Sequence, residues 1–124
     1  EVFAIFVPAL AGELHALRAI EAGRRLLSAT GNDTPDPWLS VGAGVNTGVA
    51  YVGTVGEGDM VDMTALGDPV NVAARLASAA EAGELLVTDA AVAAAHLSDE
   101  GLEHRSLALK GKTVRTVVVV LGPS

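Results

Sequence analysis

Asn71 and Arg75 stand four residues apart in the stretch "DPVNVAARL", so on a helix their side chains share one face. Arginine presents a fixed fork of donors that suits phosphate oxygens, and asparagine adds a neutral donor and acceptor. Together the pair could hold a phosphoryl group and a sugar oxygen. Spacing alone favours the plainer reading of two solvated side chains, because i,i+4 polar pairs are common on exposed helices. A second cationic feature is "LKGKTV", in which Lys110 and Lys112 flank Gly111. It is either a basic turn or a lysine that reaches a polyphosphate, with the glycine allowing close approach, and the two readings stand level. "GAGVNTG", Gly42 to Gly48, invites a dinucleotide-binding reading. That motif needs a helix after its glycines, and here the strand-like "VAYVGTV" follows, so the glycines fit a tight turn and a twisted ribbon better.

Other chemistries find little support. The chain has no cysteine, and His15, His96 and His104 are scattered without ligand spacing, which argues against a zinc site. The net charge is −7 and the only adjacent basic pair is Arg24-Arg25, so no nucleic-acid partner is expected. The longest apolar runs, such as Val2 to Val7, are too short to span a bilayer, and no signal peptide is visible. A cytoplasmic domain without a membrane segment is the expectation.

The elements that must position these residues follow from pattern. The 124 residues fit one domain, 1–124, and half of them are apolar. Aromatic residues are few (Phe3, Phe6, Trp38 and Tyr51), so the core is built from Val, Leu, Ile and Ala. Strands are expected near Val2–Val7, Leu39–Val45, Val49–Val55, Leu85–Val87, Leu102–Leu109 and Arg115–Leu121. Helices are expected near Ala11–Ala29 and Pro69–Ala80, the second with Asp68 as N-cap and Pro69 in its first turn. A short helix in "DAAVAAAHL" is capped by Thr88 or Asp89, and Asn46-Thr47-Gly48 reads as the tight turn of a hairpin. Adjacent strands mixed with crossover helices give an α+β fold, a ferredoxin-like mixed or antiparallel sheet with helices packed on it.

The order of the motifs carries a resemblance. "GVNTGVAYVGTVG", then "DMTALGDPVNVAARL", then "GELLVTD", then "LALKGKTVRTVVVVLG" is similar to the catalytic domain of class III nucleotide cyclases, over nearly the whole chain. The resemblance implies conversion of ATP to 3′,5′-cyclic AMP and pyrophosphate in a head-to-tail dimer, with the active site shared between a cyclase protomer and a second one, most simply a homodimer. Asn71 then resembles the asparagine that orients the ribose, and Arg75 the arginine that stabilises charge on the transferring phosphoryl group. Thr64 lies where the family reads the purine, in its adenine-selective form, and Lys110 resembles the lysine that contacts the terminal phosphates. The stretch from Gly56 to Leu66 would lie at the dimer interface and is expected to be mobile without nucleotide.

The same resemblance marks a departure. The family holds Mg or Mn through two aspartates, one in a first-strand "F-x-D" and one in a "K-x-x-G-D" turn that is often followed by "E-V". Glu1-Val2 matches that last dipeptide, so the expectation is a domain whose first strand and helix, metal aspartates and purine-contacting lysine precede Glu1. Metal ligands are then none in this chain, and the cofactor belongs to the intact domain. Without metals the 3′-hydroxyl lacks activation and the triphosphate lacks charge neutralisation. The 124 residues alone are accordingly expected to be inactive. The alternatives are a non-catalytic regulatory or dimerisation module, and a nucleotide-binding sensor without turnover.

Overall fold

Leu85, Leu86 and Val87 are consecutive and all completely buried. Successive strand residues point to opposite faces, so a strand of this kind must be covered on both sides. The computed structural model of the chain, which describes residues 2–56, 58 and 62–124, shows what covers it. A four-stranded sheet runs in the order β1 (Ala43–Val45), β4 (Leu85–Thr88), β6 (Thr116–Leu121), β5 (Glu103–Leu107). On one face, α2 (His15–Ala29) and α4 (Asp89–Ala94) bring Ile20, Leu27, Ala91 and Val92 onto Leu85, Val87, Val119 and Leu121. On the other, α3 (Asp68–Ala79) brings Val72 and Leu76 onto Leu86 and Val118. A short α1 (Pro8–Ala11) precedes α2, and β2 (Tyr51–Val55) with β3 (Asp62–Leu66) forms a separate two-stranded ribbon. The α+β class with a mixed sheet agrees with the pattern of elements.

The link between β1 and β4 sets the position of α3. The two strands are parallel, in the register Ala43 with Leu85 and Val45 with Val87, so a crossover must join them, and α3 supplies it. Gly44 allows the helix to rest directly on the strand. A Cβ placed there would fall 2.6 Å from Leu76 Cβ and 2.8 Å from Ala73 O. Gly44→Ala is therefore expected to destabilise the fold by about 1–3 kcal/mol, the usual cost of overpacking. Urea unfolding measures it, and an unchanged midpoint would mean that α3 does not seat on Gly44.

Several expectations need correction. Val2 to Val7 is not a strand: it belongs to no sheet, and Val7 is the N-cap of α1. An uninterrupted apolar run favours extended backbone, but a strand also requires a neighbour for its backbone groups. The helix expected from Ala11 to Ala29 is split, because Gly12 takes φ 80° and ends α1. The hairpin at Asn46–Gly48 does not form. The segment after it pairs instead with β3, antiparallel, in the register Tyr51 with Leu66 and Val55 with Asp62. Of the stretch expected to be mobile without nucleotide, Asp62–Leu66 forms the paired strand β3, and Glu57 and Asp59 to Val61 lie outside the described residues. Thr88, not Asp89, caps α4, its Oγ1 accepting the Ala91 N–H at 3.2 Å.

Candidate functional site at the start of helix α3

Leaving β3, the chain turns at Gly67, whose φ of 134° and ψ of 171° only glycine adopts readily. The carbonyl of Gly67 accepts the N–H groups of Val70 and Asn71, each at 3.2 Å, and starts the helix. Gly67 is thus the N-cap, and Asp68, expected there, is the first helical residue and makes no capping bond. Its carboxylate is instead paired with the Lys112 ammonium. A full charge is a stronger partner than a backbone amide, and the carboxylate still complements the positive helix N-terminus.

The apolar face of α3 decides what lies beside Arg75. Val72 and Leu76 are buried in one cluster with Leu109, and this contact docks the following turn, Lys110 to Lys112, against the helix. Gly111 has φ 83°, and a Cβ placed on it would lie 3.3 Å from Arg75 Nη1 and 3.5 Å from Nη2. The guanidinium therefore packs against a residue that has no side chain. Two segments distant in sequence are brought together: Asp68, Asn71 and Arg75 from α3, and Lys110, Gly111 and Lys112 from the turn between β5 and β6. The side chains of Asn71 and Lys110 are exposed, and Arg75 is half-buried. Among the described side chains, no carboxylate pairs with Arg75.

Thr64 stands in β3 with its backbone opposite Gly53; its side chain is outside the described part of the structure. The ribbon that carries it presents apolar residues to solvent, with Tyr51 82% and Leu66 66% exposed, and Val49, just before it, is 93% exposed. Among the described residues, no three His, Asp or Glu side chains converge to hold a metal ion.

A cleft of about 420 Å³ opens on the other side of the α3 N-terminus, lined by Asn46, Asp68, Thr88, Asp89 and Lys112 among others. Asn71, Arg75 and Lys110 do not line it. The displaced protonation equilibria also lie elsewhere. Glu84 is held below the usual carboxylate range by its side-chain hydrogen bonds to Arg105, at 3.0 and 2.9 Å, and His104 is raised by its bond to Asp99. These pairs tie strand β5 to its surroundings and touch none of the candidate residues.

Residues 10–121 match the family described as the adenylate and guanylate cyclase catalytic domain. The chain belongs to that family. No sequence among curated proteins matches it. Solved structures of similar fold include the guanylyl cyclase Cya2 (24% identity, TM-score 0.64, 89% of this chain and 59% of that one). The guanylate cyclase domain of RhGC from Catenaria anguillulae, solved in complex with GTP, is 20% identical with a TM-score of 0.61, over 90% of this chain and 62% of that one. The adenylyl cyclase CyaB from P. aeruginosa is 22% identical with a TM-score of 0.52, over 92% and 61% respectively. The chain thus spans about three-fifths of the length of these relatives. No helix among the described residues is long and apolar enough to cross a membrane.

The sequence does not single out Asn46, which bridges two elements beside the site. Asn46 was read as a turn residue, and in the fold it touches both β4 and α3, with Thr88 Oγ1 at 2.8 Å and Pro69 O at 3.1 Å. Nothing in its spacing signals this, because both partners are remote in the chain.

Proposed function

We propose that this chain supplies one half of a shared nucleotide cyclase site, which converts ATP to 3′,5′-cyclic AMP and pyrophosphate at a head-to-tail dimer interface. The observation that carries the reading is the docking of the Lys110–Lys112 turn on α3, which packs the Arg75 guanidinium against Gly111, next in sequence to Lys110. A triphosphate needs cationic partners. In this reading Asn71 orients the ribose, Lys110 meets the terminal phosphates, and Arg75 acts on charge that develops during transfer. Thr64 reads the purine.

The second protomer is part of the proposal. The exposed apolar surface of Tyr51 and Leu66 on the ribbon, with Val49 just before it, suits burial against another cyclase chain, in a homodimer or a related pairing. Mg or Mn is proposed as the cofactor of the intact domain. The chain alone is proposed to be inactive, acting in the cytoplasm as part of a longer or paired enzyme.

Both purines occur among the similar folds, since one guanylate cyclase domain binds GTP and another relative is an adenylyl cyclase. The choice of ATP rests on Thr64. The experiment pairs this chain with a family protomer that has its metal aspartates but lacks its own Asn and Arg counterparts, and supplies ATP or GTP with manganese. More cyclic AMP than cyclic GMP is expected. The reverse preference would overturn the assignment of ATP and leave the cyclase reading in place.

A further inference from the structure

Asn46 lies outside the proposed chemistry, yet its amide is bound at both ends. Thr88 Oγ1 accepts the Ala91 N–H, so its single hydroxyl proton is free to go to Asn46 Oδ1, 2.8 Å away. At the other end, Asn46 Nδ2 donates to the Pro69 carbonyl at 3.1 Å. Pro69 O can only accept, so both contacts require the same orientation of the amide. Thr88 is buried and immobilised by its place at the end of β4 and the start of α4. The loop closes on α3 a second time two residues later. A Cβ placed on Gly48 would lie 2.6 Å from Pro69 Cγ, so the backbone at that point runs directly against the proline ring.

We infer that Asn46 is a positioning residue: it clamps the first turn of α3 to the sheet and thereby sets where Asn71 and Arg75 stand. The rest of the helix is held by Val72 and Leu76 in the core; its first turn is held by the Gly67 carbonyl, the Asp68–Lys112 ion pair, the Gly48 backbone against Pro69 and this clamp. A site that acts by placing donors against a phosphoryl group is sensitive to displacements of about 1 Å. The motif "GVNTG", read from sequence as a hairpin turn, is in this view a brace. The catalytic part of the inference rests on the cyclase reading; the clamp itself does not.

The test uses Asn46→Asp, which keeps an acceptor for the Thr88 hydroxyl and replaces the donor to Pro69 with an oxygen. Should that variant fail to fold, Asn46→Ser, too short to reach Pro69, takes its place. Amide exchange at Val70 and Asn71 is expected to accelerate roughly three- to tenfold, the effect of one lost hydrogen bond, with β4 and β6 unchanged. In the paired assay, kcat is expected to fall about tenfold or more with KM within about twofold, while Thr88→Ser, which keeps the hydroxyl, behaves like the unsubstituted chain. Unchanged exchange in the first turn would overturn the clamp, and faster exchange with unchanged kcat would overturn its role in positioning. If the unsubstituted chain gives no product in the pair, the cyclase reading fails, and the exchange comparison still decides the clamp.

Discussion

Arg75→Ala is expected to lower kcat by about 10²–10³-fold in a paired, metal-supplied enzyme, with a much smaller change in KM. The reason is the timing of the charge. A triphosphate carries negative charge before reaction, but the oxygens around the transferring phosphorus and the leaving group gain charge only as the bonds exchange. A donor that serves the ground state and transition state equally would affect KM; one aimed at the developing charge affects kcat. Arg75 suits the second role because its guanidinium is half-buried and held against Gly111, and has no competing carboxylate among the described side chains. Arg75→Lys should recover little, since an ammonium has neither the planar fork nor its reach. An unchanged kcat with a raised KM would place Arg75 in ground-state binding and remove the main element of the proposed chemistry.

The legibility of this fold divides along a physical line. Features set by local chemistry could be read directly: Pro69 in the first turn of α3, the stripe of Val72 and Leu76, the apolar run of β4, and a cap for α4 at Thr88 or its neighbour Asp89. Features set by pairing could not. Val2 to Val7 has the composition of a strand without a partner in the sheet. Asn46-Thr47-Gly48 has the composition of a hairpin turn, yet side-chain bonds to Pro69 and Thr88 direct the chain elsewhere, and β2 pairs with β3. Composition records the preference of a backbone for extension; the choice of neighbour depends on the whole packing.

The candidate site follows the same division. Asn71 and Arg75 share a helix face by spacing alone, which is why they could be picked out, but spacing alone favoured two solvated side chains. What distinguishes Arg75 is the turn docked against it through Leu109 and Gly111, a contact between remote segments; Asn71 stays exposed. Lys112 was equally visible in sequence, but its pairing with Asp68 was not, because Asp68 had a sufficient local explanation as an N-cap. The ion pair holds the turn to the helix and leaves Lys110 as the exposed lysine of the two-sided turn.

Two inactive chains are expected to make one active pair. This chain carries the residues proposed for ribose and phosphoryl contacts, and in the proposed division of the site the metal aspartates come from the other protomer. Alone, it is expected to yield no cyclic nucleotide at any concentration of magnesium or manganese. A family protomer with its aspartates intact and its own Asn and Arg counterparts replaced should also be silent. Mixed, they should form a heterodimer with one complete site. Solubility is the physical obstacle. Among the described residues strand β1 has a sheet neighbour on one side only, and Val2, Leu10, Val49 and Tyr51 are each more than four-fifths exposed, at 91%, 85%, 93% and 82%, so self-association competes with pairing. Sedimentation of the mixture must therefore show the heterodimer before product is assayed. Product from this chain alone would refute the division of the site. A soluble heterodimer that forms no cyclic nucleotide would instead support a regulatory or dimerisation module, in which the same apolar ribbon still buries itself against a partner but Asn71 and Arg75 meet no reacting phosphate.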